Sequence, residues 1–392
     1  SNSSSRQGGF QFHRFMASGG FPPIIDAQLN YLLTHSSFSI KVEQTWSGSK
    51  ITGSLDRATL LIPYCLDYVK WDVIYNACRP SAAPDVIFSP EDELFHPFSG
   101  ARRGEADSPK NSLSEWNGKD PSQLLSLIHE LREEYKAYQK KRVEELDDNR
   151  VKFELSTIPS REGIEMRLNS GVEKPNEVKF AVPLVDLNLN KMVIGCAANR
   201  PSRIFLQVIF PVEKNHSPTF SAPRIKLMGS SELNDLFSLE EFKPPLWSDG
   251  MCMAEYLPIL EIFLEEQILQ AVSAIELKRR LIVALATLFG RPIEADPIFC
   301  RKATFLAASG IFTFLVYCVF TSQFPQQQPI LMLQSSQHFD LEGAPMKSLP
   351  MGDYPWSPRW EPPYMAERIL EFVGEECLKF KKFCNDVTVP QH

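Results

Sequence analysis

Three stretches of the chain repeat one order of apolar and polar positions. In the first, the extended run Val69 to Asn76 leads to Arg79 and Pro80. Pro84 then opens the apolar stretch Asp85 to Phe88, and Trp116 precedes an amphipathic segment. In the second, Arg203 to Phe210 leads to Pro211, then Pro223 with Arg224 to Met228, and Trp247. In the third, Phe312 to Phe320 leads to Phe324 and Pro325, then Pro329 with Ile330 to Gln334, and Trp360. Proline and tryptophan stand 36, 36 and 35 residues apart, and self-similarity at a fixed spacing marks a repeated supersecondary unit.

Short β-branched and aromatic runs between prolines predict strands, and apolar residues at three- and four-residue spacing after each tryptophan predict helices. The helical stripes are Leu124, Ile128, Leu131, Tyr135 and Tyr138; Leu257, Leu260, Leu264, Ile268 and Ala271; and Ala366, Leu370, Val373, Cys377, Phe380 and Cys384. Asp120 as N-cap with Pro121 at the first helical position predicts where the first of these begins. A proline cannot donate to a ladder, so one at the end of each central strand marks where pairing stops. Ile24 to Thr34 predicts an additional helix and Phe38 to Trp46 a strand, with Gly48 to Ser54 as the turn after it. Each unit is therefore expected to be a small antiparallel sheet with a helix on one face, an α+β arrangement. The boundaries fall at 21–146, 147–278 and 279–386, between a leader (1–20) without fold content, in which Met16 is a natural start, and a short tail (387–392). Glu255 to Phe289 is nearly all helix-forming, which predicts the closing helix of unit two running close to the opening helix of unit three.

Ala303 to Ser322 carries no charge over twenty residues and imitates a membrane span. Ser309 and Gly310 interrupt it, its second half is β-branched and aromatic, and the repeat assigns it to two strands of the third sheet. No membrane association is expected from it.

The length of 392 residues suits two or three domains, and the hydrophobic (43%) and charged (23%) fractions are those of a folded globular chain. A formal charge of −7, from 41 basic and 48 acidic residues without a basic stripe, argues against direct nucleic-acid binding. The clusters Lys140, Lys141, Arg142 and Lys278, Arg279, Arg280 are expected near helix ends, where cations favour the dipole. Eight cysteines lack CxxC spacing and sit mostly in apolar runs, which predicts buried thiols in a reducing compartment. The loop Phe98 to Ser112 is polar and bears glycine and serine, the composition of a mobile segment.

The order strand, Pro-x-x-x-Pro, strand, His-Pro, long loop, Trp, helix resembles ubiquitin-conjugating enzymes and their inactive variants. Pro80, Pro84, Phe88, His96, Pro97 and Trp116 match that motif best, and Pro211, Trp247, Pro325 and Trp360 match it by pattern. More specifically, Leu61-Ile62-Pro63-Tyr64 with Lys70-Trp71-Asp72, and Tyr354-Pro355 with Ser357-Pro358-Arg359-Trp360 and Met365-Ala366, are similar to stretches of the brain and reproductive organ-expressed (BRE) family. The resemblance covers Phe21 to Asp386. It implies tandem UEV/RWD-like units and a scaffold role in lysine-63-specific deubiquitinase complexes of the BRISC or BRCA1-A type. The partners it implies are a JAMM-class deubiquitinase, an Abraxas-type scaffold and a von Willebrand A-like adaptor, with ubiquitin as a candidate ligand and a nuclear and cytoplasmic location.

Ubiquitin transfer needs a thiolate in the loop before the tryptophan and an asparagine after His-Pro to support the oxyanion. Pro84 to Trp116, Val212 to Leu246 and Gln326 to Arg359 contain no cysteine, and His96-Pro97 is followed by Phe98. Cys65 and Cys78 are expected in the core. The seven histidines never stand one to four residues apart, so neither a JAMM nor an HExxH metal site is present, and no cofactor, metal or catalytic residue is assigned. What remains is binding surface. In the run Tyr354 to Tyr364, Trp360 is expected to pack under its helix, and Trp356, Arg359 and Tyr364 are the candidate partner contacts. The alternative function is a stand-alone ubiquitin- or peptide-binding module.

Overall fold

The computed structural model describes residues 20–48, 54–76, 78–98, 111–158, 161–169, 176–187, 192–193, 202–212, 222–229, 233, 242–340 and 342–388. The leader up to residue 19, most of the Gly48 to Ser54 turn, most of the Phe98 to Ser112 loop, Cys196 and the tail residues 389–392 lie outside them. The chain divides into two compact units, one comprising residues up to Val182 with Leu206–Lys226, the other Pro183–Phe205 with Leu227 onward.

The first unit opens with α1 (Pro23–His35), whose proline occupies the first turn, where no N–H is needed. A meander follows: β1 (Lys41–Trp46), β2 (Arg57–Tyr64), β3 (Asp67–Ile74) and β4 (Asp85–Ile87), antiparallel throughout. On β2, Ala58, Leu60, Ile62 and Tyr64 alternate into the core; Val69, Trp71 and Val73 do the same on β3, as a period-two strand requires. Ile25, Leu29 and Leu32 of α1 join that core with Leu124, Ile128, Leu131 and Tyr135 of α2 (Gln123–Glu144). Helix α2 starts later than Asp120 and Pro121 suggested. The Asp120 carboxylate accepts from the Ser122 N–H (2.9 Å) and hydroxyl (2.7 Å), which closes a turn ahead of the helix rather than capping it. Helix α3 (Asn149–Thr157) is capped by Asp148, whose side chain accepts from Val151 N–H at 3.0 Å. A second four-stranded sheet has the order β5 (Glu165–Asn169), β6 (Glu177–Leu187), β7 (Ser202–Pro211), β8 (Arg224–Gly229).

In the other unit, α4 (Met253–Phe289) is a single helix of 37 residues where two were expected. No glycine or proline interrupts it after Pro258, and Gly290, at φ 86°, ends it. Lys278, Arg279 and Arg280 therefore lie inside a helix, a correction to their expected place near an end. The third sheet has the order β13 (Pro345–Lys347), β12 (Ile330–Phe339), β11 (Phe312–Val319), β10 (Lys302–Ser309), β9 (Glu294–Ala295). The charge-free run is thus the hairpin β10–β11, in which Ser309 pairs with Phe312 and Gly310 takes the left-handed conformation at φ 63°. Among the described residues no helix is long and apolar enough to cross a membrane. Helix α5 (Pro362–Thr388) lays Met365, Ala366, Ile369, Val373, Cys377, Phe380 and Cys384 on the core formed with Phe305, Phe314, Val316 and Leu333. Leu370, placed in the apolar stripe by spacing, is 38% exposed, and its neighbour Ile369 takes the inward position.

Candidate functional site

In a ubiquitin-conjugating arrangement the chemistry would sit at the corner beyond β3, so the motif residues there come first. Asn76 accepts from Cys78 N–H (2.9 Å) and Arg79 N–H (3.2 Å), and Arg79 O accepts from Ala82 N–H (2.9 Å), so Pro80 occupies the second position of a tight turn that suits its fixed φ. Pro84 directly precedes β4. Trp116 donates its indole N–H to Ser81 O at 3.2 Å and packs its ring on the core. Gly118 lies so close to this turn that a Cβ there would stand 2.1 Å from Ser81 O. Its own carbonyl accepts from the buried Gln28 amide (3.0 Å), which in turn accepts from Tyr75 OH (2.9 Å). The corner is a closed polar lock between α1, β3 and the loop before α2. Gln28 and Gly118 were not singled out in the sequence, where a polar residue on a helix and a loop glycine look unremarkable.

His96 is exposed, whereas Phe98, at φ 64°, packs on the core and presents no donor. Behind this loop, buried Asp92 accepts from Tyr135 OH (3.0 Å) and the Gln139 amide (3.1 Å), with Arg142 at 3.6 Å. Burial raises the Asp92 pKa above the ordinary carboxylate value.

The two cysteines expected in the core part company. Cys78 is exposed. Cys65 is fully buried in the two-residue turn joining β2 and β3, where Cys65 and Leu66 have φ of 51° and 61°. Glycine or asparagine normally fills such positions, because a Cβ there costs about 1–2 kcal/mol. The turn is held from outside. Cys65 N–H donates to Glu165 Oε2 at 2.6 Å, the other Glu165 oxygen pairs with Arg132, and Arg132 Nε donates to Pro63 O at 3.1 Å. The thiol lies 3.4 Å from Lys179 O; burial first, and then the Glu165 carboxylate, push its pKa up to about 12. It is a protonated thiol at neutral pH, without the depressed pKa that nucleophilic cysteines need.

The counterparts elsewhere are built differently. Pro211 is the last residue of β7, and Trp247 donates to Met251 O at 3.0 Å while packing on Tyr256 at 4.4 Å. In the third sheet's corner, Pro325 O accepts from the Trp356 indole at 2.8 Å, and Tyr354 OH donates to Pro329 O at 2.7 Å. Trp356 thus makes the indole-to-turn bond that Trp116 makes in the first unit. Trp360 is half-buried against the core and meets Tyr364 edge-on at 4.9 Å. Arg359 and Tyr364 are exposed. Among the described residues no group of histidine, cysteine and carboxylate side chains could hold a metal ion.

A family model described as brain and reproductive organ-expressed protein (BRE) matches residues 25–339. A Branchiostoma floridae protein named "BRISC and BRCA1-A complex member 2" is 29% identical over 336 residues, covering 83% of this chain and 84% of the relative. A Danio rerio protein of the same name is 29% identical over 338 residues, covering 83% of each. With the family model spanning well over half of its length, the chain belongs to the brain and reproductive organ-expressed (BRE) family.

Proposed function

We propose that the chain is a non-catalytic scaffold subunit of a BRISC- or BRCA1-A-type deubiquitinase complex, built from tandem inactive ubiquitin-conjugating-type (UEV/RWD-like) units. The observation that carries this reading is similarity over 83% of the chain to relatives named as members of those complexes. The buried, high-pKa Cys65 and the aromatic Phe98 after His96-Pro97 support a role without thioester chemistry. The partners are a JAMM-class deubiquitinase, an Abraxas-type scaffold and a von Willebrand A-like adaptor, met in the nucleus and cytoplasm, with Arg359, Tyr364 and the exposed edge of Trp356 as contact candidates. Gentle affinity purification followed by mass spectrometry, with a lysine-63-linked chain cleavage assay on the eluate, tests it. Recovery of a JAMM-class metalloprotease with chelator-sensitive cleavage is the expected result. Recovery of the chain alone, or with ubiquitin only, would replace the scaffold by a stand-alone ubiquitin-binding module.

A further inference from the structure

The basic triplet Lys278, Arg279 and Arg280 is not accounted for by a helix end, and its three members have separate fates. Arg279 bonds to Glu276 (2.9 Å) and to Ile298 O (3.3 Å), and Arg280 pairs with Glu361 (2.9 Å) on the surface. Lys278 instead lines a cleft of about 860 Å³ between the middle of α4 and the corner Thr321 to Gln326. That volume lies in the range of ligand clefts, and this one is open to solvent on one side.

We infer that this cleft binds an extended peptide segment of a protein partner carrying a carboxylate side chain beside a large apolar one. The first reason is charge. In a chain with a formal charge of −7, the described residues that line the cleft include Lys278 and Arg301 and no acidic side chain. Arg301 is already paired with Asp296 at 2.9 Å. Lys278 makes no hydrogen bond or ion pair among the described residues, and its ammonium lies 6.0 Å from the ring centres of both Phe320 and Phe324. Burial lowers its pKa, against the opposing pull of Cys300 and Asp296. On the same wall the Thr321 hydroxyl is buried without a hydrogen-bond partner. An arriving carboxylate would give the ammonium an acceptor for a charge-assisted hydrogen bond.

The second reason is the rest of the lining. Phe320 and Phe324, packed edge to face at 5.0 Å, are buried beneath Lys278, and the exposed Leu269 of α4 offers apolar surface for an apolar side chain. Gln267, Gln270, Gln323 and Gln326 line the cleft with amides that can both donate to and accept from a peptide backbone. The chemistry favours a carboxylate over a phosphate. Lys278 is a single point charge, and the planar arginine fork that suits phosphate is engaged by Asp296. The inference holds whichever assembly the chain joins.

The test uses the full chain and a positional-scanning library of fluorescein-labelled decapeptides, read by anisotropy. Pools with Asp or Glu fixed within three residues of Phe or Leu should bind, and the matching Asn or Gln pools should bind about tenfold more weakly or worse, the size of a charge-assisted hydrogen bond. Lys278→Glu should abolish the preference for acid and Lys278→Arg should keep it. Arg280→Glu, which alters a surface pair outside the cleft, should leave it unchanged. Acidic, amide and basic pools that bind alike, or no binding above background, would overturn the proposal on the wild-type chain alone. An acid preference that survives in folded Lys278→Glu would place the site elsewhere and overturn it as well.

Discussion

Glu165 illustrates how one side chain can hold a local conformation that its own neighbours in sequence would not adopt. Its two oxygens serve the Cys65 N–H and the Arg132 guanidinium, and both side chains of the ion pair are largely buried, at 18% and 15% exposure. Glu165→Ala leaves the Cys65 N–H without its acceptor beside a turn already at positive φ and takes from Arg132 its more buried carboxylate partner, and should cost about 2–3 kcal/mol. A fall in the urea midpoint at unchanged slope checks this. His129 gives a pH-dependent counterpart. Its ring packs on Phe38 at 4.8 Å, its Nε2 is buried without a partner, and burial lowers its pKa. The folded state then binds the proton less readily than the unfolded chain, so stability is present above the unfolded value of about 6.5 and is lost as pH falls through the folded value. The expected outcome is a urea midpoint that declines from pH 7 to pH 5 in the wild type and is flatter in His129→Gln.

Elements were legible where periodicity and local chemistry agreed. Helices α1, α2 and α5 and strands β3, β4, β7, β8 and β11 follow the predicted runs to within a few residues, because an apolar stripe of the right period has one face to bury. Strand β2 carries much of the first core yet went unpredicted, since Arg57–Tyr64 is apolar on successive residues and shows no clean alternation. The single helix α4 was divided in expectation because the repeat demanded a boundary, while the residues themselves contain nothing to stop it. The lock at the first corner belongs to this scale too. Gly118→Ala would drive a methyl group against the Ser81 backbone, and overpacking of this kind costs about 1–3 kcal/mol. Thermal unfolding should show a lowered midpoint, with the loss concentrated in probes of the first unit such as Trp116 fluorescence.

For the molecule as a whole, the chain belongs to the BRE family, and the stretch Pro84 to Trp116, where a thioester-forming cysteine would stand, contains no cysteine. Incubated with ubiquitin, activating enzyme and ATP, the chain should form no reductant-labile adduct on gels. An adduct mapped to Cys65 would contradict a buried thiol with a pKa near 12, whereas alkylation of the native protein should reach Cys78 well before Cys65.

The sequence alone determined the α+β class, the repeated Pro and Trp spacing, the sheet assignment of the charge-free run and the family resemblance. All of these rest on patterns that are local or recur at a fixed interval, and such patterns survive without coordinates. Only the tertiary structure decided that Cys65 is buried and Cys78 exposed, that Trp356 bonds to Pro325 O, that Gln28 reaches Gly118, and that Lys278 faces two phenylalanine rings instead of a helix terminus. Gln28 and Gly118 lie 90 residues apart, and the Cys65 turn and Glu165 lie 100 apart. The energy of a buried hydrogen bond or an unpaired charge depends on which distant groups share its low-dielectric surroundings, and spacing along the chain does not encode that.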